Sequence, residues 1–344
     1  MQAAVLTAPR QFSLREVPAP IPQPGEVLVR VRYAGVCGSD LHFWSEGRIG
    51  DVFLAEPFVM GHEFSGIIAD HCGIPNAPAA ETRVALEPAI PCGHCPFCRT
   101  GRTNICPQVR FTGFPPYTGA FAELISVPVE NVYPLPASIP DDFGPALETL
   151  AVALHGLELV LEVQGKTCAV LGAGSVGLLV LLELLRREAN VVLVTEPVPD
   201  RREIARRLGC PHVFDPRSED EIRDHLNRIC PYGPKLIFEA AGEPESYQQA
   251  LDLARPGGVV CLYGIYPKGS FTIDFNHARR KELAVHFVRR SLPRNYPEAI
   301  RLVASGEIDV RPILTHRFPL TRIAEAFELS YSRRDGVIKP IVRI

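Results

Sequence analysis

The chain has 344 residues, enough for two domains, and its 46% hydrophobic and 22% charged content is that of an ordinary globular protein. A formal net charge of −3 gives no electrostatic pull toward nucleic acid, and no run approaches the roughly 18 apolar residues of a membrane span. Residues 1–6 lack a basic segment leading into an apolar stretch and cleavage site, so a cytoplasmic location and no membrane partner are expected.

Up to about residue 145 the chain reads as strands between breakers. Strands are predicted at 27–33, 64–69 and 121–127, with Pro and Gly clusters at 18–25 and 134–140, which implies a strongly curved, barrel-like sheet. The texture then changes to alternation: strand 167–171, a helix from Val176, strand 191–195, a helix from about Asp200, strand 236–239, helix 245–254 and strand 259–264. That order predicts βαβ units and a doubly wound parallel sheet. The helix after Gly174 is apolar almost all round, as expected of one packed between a sheet and its neighbours. After about residue 285 short mixed elements return, with a helix near 297–304 and a strand at 337–342. The expected architecture is α/β overall: a β-rich domain from 1–146 and 286–344, with a dinucleotide-binding domain at 147–285 inserted in it.

Gly172-Ala173-Gly174-Ser175-Val176-Gly177 directly follows an apolar strand and opens a helix. In that context G-x-G-x-x-G has a mechanism: a tight turn, close backbone approach to a pyrophosphate, and helix N-terminal amides to hold it, here those of Ser175 and Val176. Glu196 closes the next strand nineteen residues past Gly177, where a carboxylate would take ribose hydroxyls and repel a 2′-phosphate. NAD is therefore favoured over NADP, a preference that Arg201 and Arg202 soften without reversing. A methyltransferase loop would account for the glycines but not for Glu196 or the metal sites below.

Of ten cysteines, Cys92, Cys95, Cys98 and Cys106 form the run C-x2-C-x2-C-x7-C, and the rest are scattered. Without an export signal such a cluster indicates metal rather than disulfides. Four thiolates close a tetrahedral shell, the pattern of structural zinc; an iron–sulfur cluster ranks behind it because nothing else points to electron transfer. A second set has an open position: Cys37 in Cys37-Gly38-Ser39-Asp40-Leu41-His42 just after a strand, and His62 and Glu63 in Gly61-His62-Glu63 just before one. Thiolate, imidazole and carboxylate are what catalytic zinc takes.

With these motifs the chain resembles the zinc-containing medium-chain dehydrogenases over essentially its whole length, and among them the sorbitol (polyol) dehydrogenase branch. Gly47-Arg48-Ile49-Gly50-Asp51, Val109-Arg110-Phe111, Pro115-Pro116 and residues 314–320 carry the branch likeness. The resemblance implies a GroES-like fold for the β-rich domain and a Rossmann fold for the other. It implies catalytic zinc on Cys37 and His62, with Glu63 or Glu148 as the carboxylate, directly or through water. Thr149 departs from the proline usual after that second glutamate. Ser39 and His42 match the proton relay, and Phe43, Phe111 and Phe114 the substrate cleft. The substrate arginine falls on Arg290 or its neighbour Arg289, in a segment about one residue longer than usual. Expected overall are two zinc ions per chain, NAD, a polyol or other secondary alcohol as substrate, and a homotetramer. A threonine dehydrogenase-like oxidation is the alternative within enzymes. A catalytically dead NAD-binding protein is the alternative outside them, and the retained zinc ligands argue against it.

Overall fold

The computed structural model describes residues 1–160 and 162–344, and the chain divides into two compact units, Met1–Ala151 with Arg290–Ile344, and Val152–Arg289. At the centre of the first is the Glu26–Gly35 strand. Its alternation buries Val27, Val29 and Val31 and leaves Arg30 and Arg32 in water. The strand order around it is Val132–Pro134, Arg83–Leu86, Glu63–Asp70, Glu26–Gly35, Lys339–Arg343, Leu314–Pro319, with Leu124–Pro128 also paired to Glu26–Gly35. Register irregularities at Leu28/Val29 and Val31/Tyr33 bend the pairing with Glu63–Asp70, which gives the sheet its curvature. A smaller sheet of Gln11–Glu16, Gln2–Ala8 and Phe58–Val59 shares its core, which includes Leu6, Phe64, Phe121 and Ile125. The helix Ile323–Ser332 adds Phe327 to that core.

The strand expected at 121–127 is regular only over Leu124–Pro128. The preceding residues change partners one after another. The Phe121 amide donates to Met60 (3.0 Å), its carbonyl accepts from Ala4 (2.8 Å), and the Glu123 amide donates to Gln2 (3.1 Å). The helices Gly38–Glu46, Pro96–Arg99, Gly144–Glu158 and Ile323–Ser332 are not among the predicted elements; Gly38–Glu46 and Gly144–Glu158 both begin at glycine, and the latter carries Pro145 in its first turn.

The second unit is a six-stranded parallel sheet in the order Val213–Phe214, Asn190–Thr195, Thr167–Leu171, Leu236–Glu239, Val259–Leu262, Ala284–Phe287. The α/β class and the doubly wound cofactor domain are as the sequence predicts. The two edge strands and the helices Glu219–Ile229 and Phe275–Arg280 were not read. Val213–Phe214 spans two residues, and Ala284–Phe287 is mostly exposed, so neither shows the buried run of a central strand. In the helix Ser175–Arg186, Leu178, Leu179, Val180 and Leu181 are fully buried. Its buried Glu183 is held by Arg186 (2.8 Å) and Arg187 (2.6 Å), which compensate a charge otherwise costly at that depth. Among the described residues no helix is long and apolar enough to cross a membrane.

Candidate active site, structural lobe and dinucleotide loop

Cys37 follows the end of the Glu26–Gly35 strand and is the N-cap of the helix Gly38–Glu46; its amide donates to Asp40 Oδ2 (3.2 Å). His62 immediately precedes the Glu63–Asp70 strand, which pairs with Glu26–Gly35. The pairing of these strands brings ligand atoms of Cys37, His62 and Glu63 within 4.8 Å of one another. Ser39 Oγ donates to Cys37 Sγ at 3.3 Å and lies 3.5 Å from His62 Nε2. His42 is half-buried one turn further along the same helix.

His62 Nδ1 faces Asp40 Oδ1 at 3.3 Å, both groups being buried; the separation is that of an ion pair, without the geometry of a well-formed hydrogen bond. Burial opposes a charge on His62, but the Asp40 carboxylate and the Cys37 thiol outweigh it and push the imidazole well above its ordinary value. With Nδ1 turned to Asp40, Nε2 is left facing Cys37 and Ser39, as in carboxylate–histidine–metal arrangements. The sequence reading missed Asp40, although the C-G-S-D run contains it.

Glu63 is fully enclosed. Thr149 Oγ1 donates to its Oε1 (2.9 Å) and Lys339 Nζ to its Oε2. Burial raises the Glu63 carboxyl, and Lys339 chiefly reverses this, holding it below its ordinary value. Glu148, next to Thr149 on the helix Gly144–Glu158, lies outside the Cys37–His62–Glu63 group. Burial first, and then the charge of Glu63, pushes Glu148 up to about 7. Glu87, a further buried carboxyl that the sequence did not single out, is pushed up to about 7 by burial and receives the Tyr133 hydroxyl at 3.3 Å.

The aromatic residues form a continuous set. Phe111 lies 5.3 Å from the His62 ring and 6.4 Å from Phe114, and Phe114 lies 5.3 Å from Phe43. Phe111 and Phe114 are half-buried, whereas Phe43 is 1% exposed and belongs to the core behind them. Arg290 donates to the Asn104 carbonyl (3.1 Å), and its guanidinium lies 5.2 Å from the Phe111 ring centre.

In the four-cysteine lobe the sulfur separations are 3.5 Å (Cys95–Cys98), 3.9 Å (Cys92–Cys98) and 3.9 Å (Cys95–Cys106). A tetrahedron with Zn–S bonds of about 2.3 Å has edges of about 3.8 Å, so the four thiols fit that ion. The Cys92 and Cys98 amides donate to Cys106 Sγ and Cys95 Sγ, both at 3.4 Å. Cys92 is lowered to about 6, chiefly by its hydrogen bond from the His94 backbone, and Cys98 is pushed up to about 12, chiefly by desolvation.

In the second unit the glycine loop joins the strand Thr167–Leu171 to the helix Ser175–Arg186. A Cβ on Gly177 would lie 1.9 Å from the Gly172 carbonyl oxygen, so the close helix–loop packing requires glycine there. Glu196 is buried and ties the loop to its own strand: Oε2 accepts from Ala173 N (2.8 Å) and Oε1 from Val198 N (3.0 Å). The Arg201 guanidinium stands over Gly174. Arg202 turns inward onto the Glu196 carbonyl (2.7 Å), the Pro197 carbonyl (2.9 Å) and Asp215 (3.2 Å).

Residues 23–137 match the family described as alcohol dehydrogenase GroES-like domain, and residues 175–305 the family described as zinc-binding dehydrogenase. The chain is 30% identical over 342 residues to a sorbitol dehydrogenase of Bacillus subtilis, covering 99% of this chain and 97% of that one. It is 33% identical over 329 residues to an L-threonine 3-dehydrogenase of Pyrococcus horikoshii, covering 94% and 93%. The crystal structure of an Escherichia coli oxidoreductase of unknown specificity superposes with a TM-score of 0.92 at 31% identity, over 100% of this chain and 99% of that one.

Proposed function

The chain belongs to the zinc-dependent medium-chain alcohol dehydrogenase family, and we propose that it oxidises a secondary alcohol of a polyol to the ketone with NAD as hydride acceptor. The observation that carries this reading is the convergence of Cys37, His62 and Glu63 with the Ser39 hydroxyl beside them. When bound, zinc would supply Lewis acidity at the substrate hydroxyl and the dinucleotide a hydride acceptor. Cys37, His62 and Glu63 would hold the ion, and Glu148 stays beside them as a carboxyl sensitive to their charge. Asp40 fixes which imidazole nitrogen His62 presents. Ser39 accepts the hydroxyl proton and passes it to His42, one turn along the same helix. Phe111 and Phe114 exclude water from this side of the site, and Arg290, braced on Asn104, steadies Phe111.

Likeness to the sorbitol dehydrogenases supports a polyol substrate, and likeness to threonine dehydrogenase keeps an amino alcohol as the second reading. A steady-state screen of sorbitol, xylitol, L-threonine and simple secondary alcohols tests both. The highest kcat/KM is expected on a polyol; a clear preference for threonine would replace the first reading by the second.

In the other unit the amides of Ser175 and Val176 would receive the pyrophosphate, with Arg201 above the loop. Glu196 makes the site hostile to a 2′-phosphate, and Arg202 is turned away from offsetting it. Glu196→Gln keeps the shape and one of the two amide contacts while removing the charge. It should lower the NAD-over-NADP ratio of kcat/KM by about tenfold, about 1.4 kcal/mol. An unchanged ratio would remove Glu196 from cofactor selection.

We also propose a homotetramer. The Ala284–Phe287 strand is a sheet edge with Phe287 78% exposed, a surface that pairing between two copies would cover, which accounts for one of the two interfaces a tetramer needs. Sedimentation equilibrium should give four times the chain mass, and a monomer at micromolar concentration would overturn this.

A further inference from the structure

We infer that Thr149, Lys339 and Gly35 position the Glu63 carboxylate for the metal, so that residues which do not touch the ion set how tightly this site holds it. The inference rests on the proposed reading that Cys37 and His62 bind the catalytic ion. Glu63 begins the Glu63–Asp70 strand, on one side of Glu26–Gly35; Lys339 begins the Lys339–Arg343 strand, on the other. Gly35 faces Glu63 in the first pairing and Ile341 in the second. Lys339 therefore reaches Glu63 past the end of the intervening strand, where that strand has no side chain. A Cβ on Gly35 would lie 2.6 Å from Glu63 Oε2 and 3.2 Å from Pro145 Cβ, so the glycine leaves the room that the carboxylate fills.

The third contact comes from the helix Gly144–Glu158, which places the Thr149 hydroxyl on Glu63 Oε1 at 2.9 Å. Lys339 and Glu63 are each 1% exposed. Each Glu63 oxygen is thus occupied from one direction and keeps a lone pair for another partner. A metal-bound carboxylate fixed by outer hydrogen bonds loses about 10–100-fold in metal affinity when those bonds are removed.

The test uses the full-length protein loaded with cobalt(II). Thr149→Val keeps side-chain shape and deletes the hydroxyl; Thr149→Ser restores it. Thr149→Val should release the ion of the Cys37–His62 site to a chelator about tenfold faster, with a shifted visible cobalt spectrum, and Thr149→Ser should return both to the parent values. The ion of the four-cysteine lobe is the internal reference and should not respond. Thr149→Ala, a good helix former, gives the same reading should the valine variant not fold. Parent-like release and spectrum in Thr149→Val, or slower release, overturns the inference. A parent protein that binds cobalt only in the four-cysteine lobe, as His62→Ala should, overturns the underlying site reading instead.

Discussion

His62→Ala is expected to lower kcat/KM for the preferred alcohol by at least about a thousandfold, about 4 kcal/mol of transition-state stabilisation. The imidazole lies within 4.8 Å of the Cys37 and Glu63 ligand atoms and is aligned from behind by Asp40. Its removal takes away a donor and leaves the buried Asp40 without its imidazole partner. A carboxylate in that position costs about 1–3 kcal/mol, so the first unit should also melt somewhat earlier. The glycine loop and Glu196 lie in the other compact unit, and every hydrogen bond described for them is made within that unit. NAD affinity by isothermal titration should therefore equal that of the parent protein. Turnover at the parent rate would mean that the ion at this site is not catalytic. Loss of turnover together with loss of NAD binding would point to a folding defect and leave Lewis-acid catalysis without its support.

Cys98→Ser should produce the second large effect, on stability first. Cys98 takes part in two of the three short sulfur contacts of the lobe, and its amide donates to Cys95 Sγ. Apolar burial does little here: none of the residues in the short helix Pro96–Arg99 is buried. The lobe therefore depends on its ion, whose binding free energy is folding free energy in such sites. A serine oxygen is a poor substitute for thiolate on zinc. The expected outcome is one metal ion fewer per chain and a loss of about 4 kcal/mol or more, seen as a first thermal transition about 10 °C lower. Because Arg290 bonds the Asn104 carbonyl within this lobe and also covers Phe111, a modest fall in kcat should accompany the change. Parent-like melting with activity lost would show that these cysteines serve chemistry instead of structure.

The sequence by itself determined whatever its neighbours in the chain could express. The glycine fingerprint, the closing Glu196 and the four-cysteine spacing span at most a few tens of residues, and each needs only one local turn or strand–helix junction to work. The buried strands of the parallel sheet were legible for the same reason, since a central strand must be apolar on both faces wherever it is placed. Only the tertiary structure shows which carboxylate lies beside the Cys37 and His62 ligand atoms. Glu63 does so held by Lys339, 276 residues away in sequence, and by Thr149, 86 residues away. No periodicity records such a contact, because it is made by two strands meeting on either side of a glycine. Asp40 was in plain view, yet its role depends on where His62 arrives. Arg290 reads as a substrate residue from resemblance, and its bond to the four-cysteine lobe exists only once the chain's ends have come together. Local turns and apolar runs are fixed by propensity and burial of near neighbours. The assignment of charged groups is fixed by long-range strand pairing, which sets which of them must share one dry space.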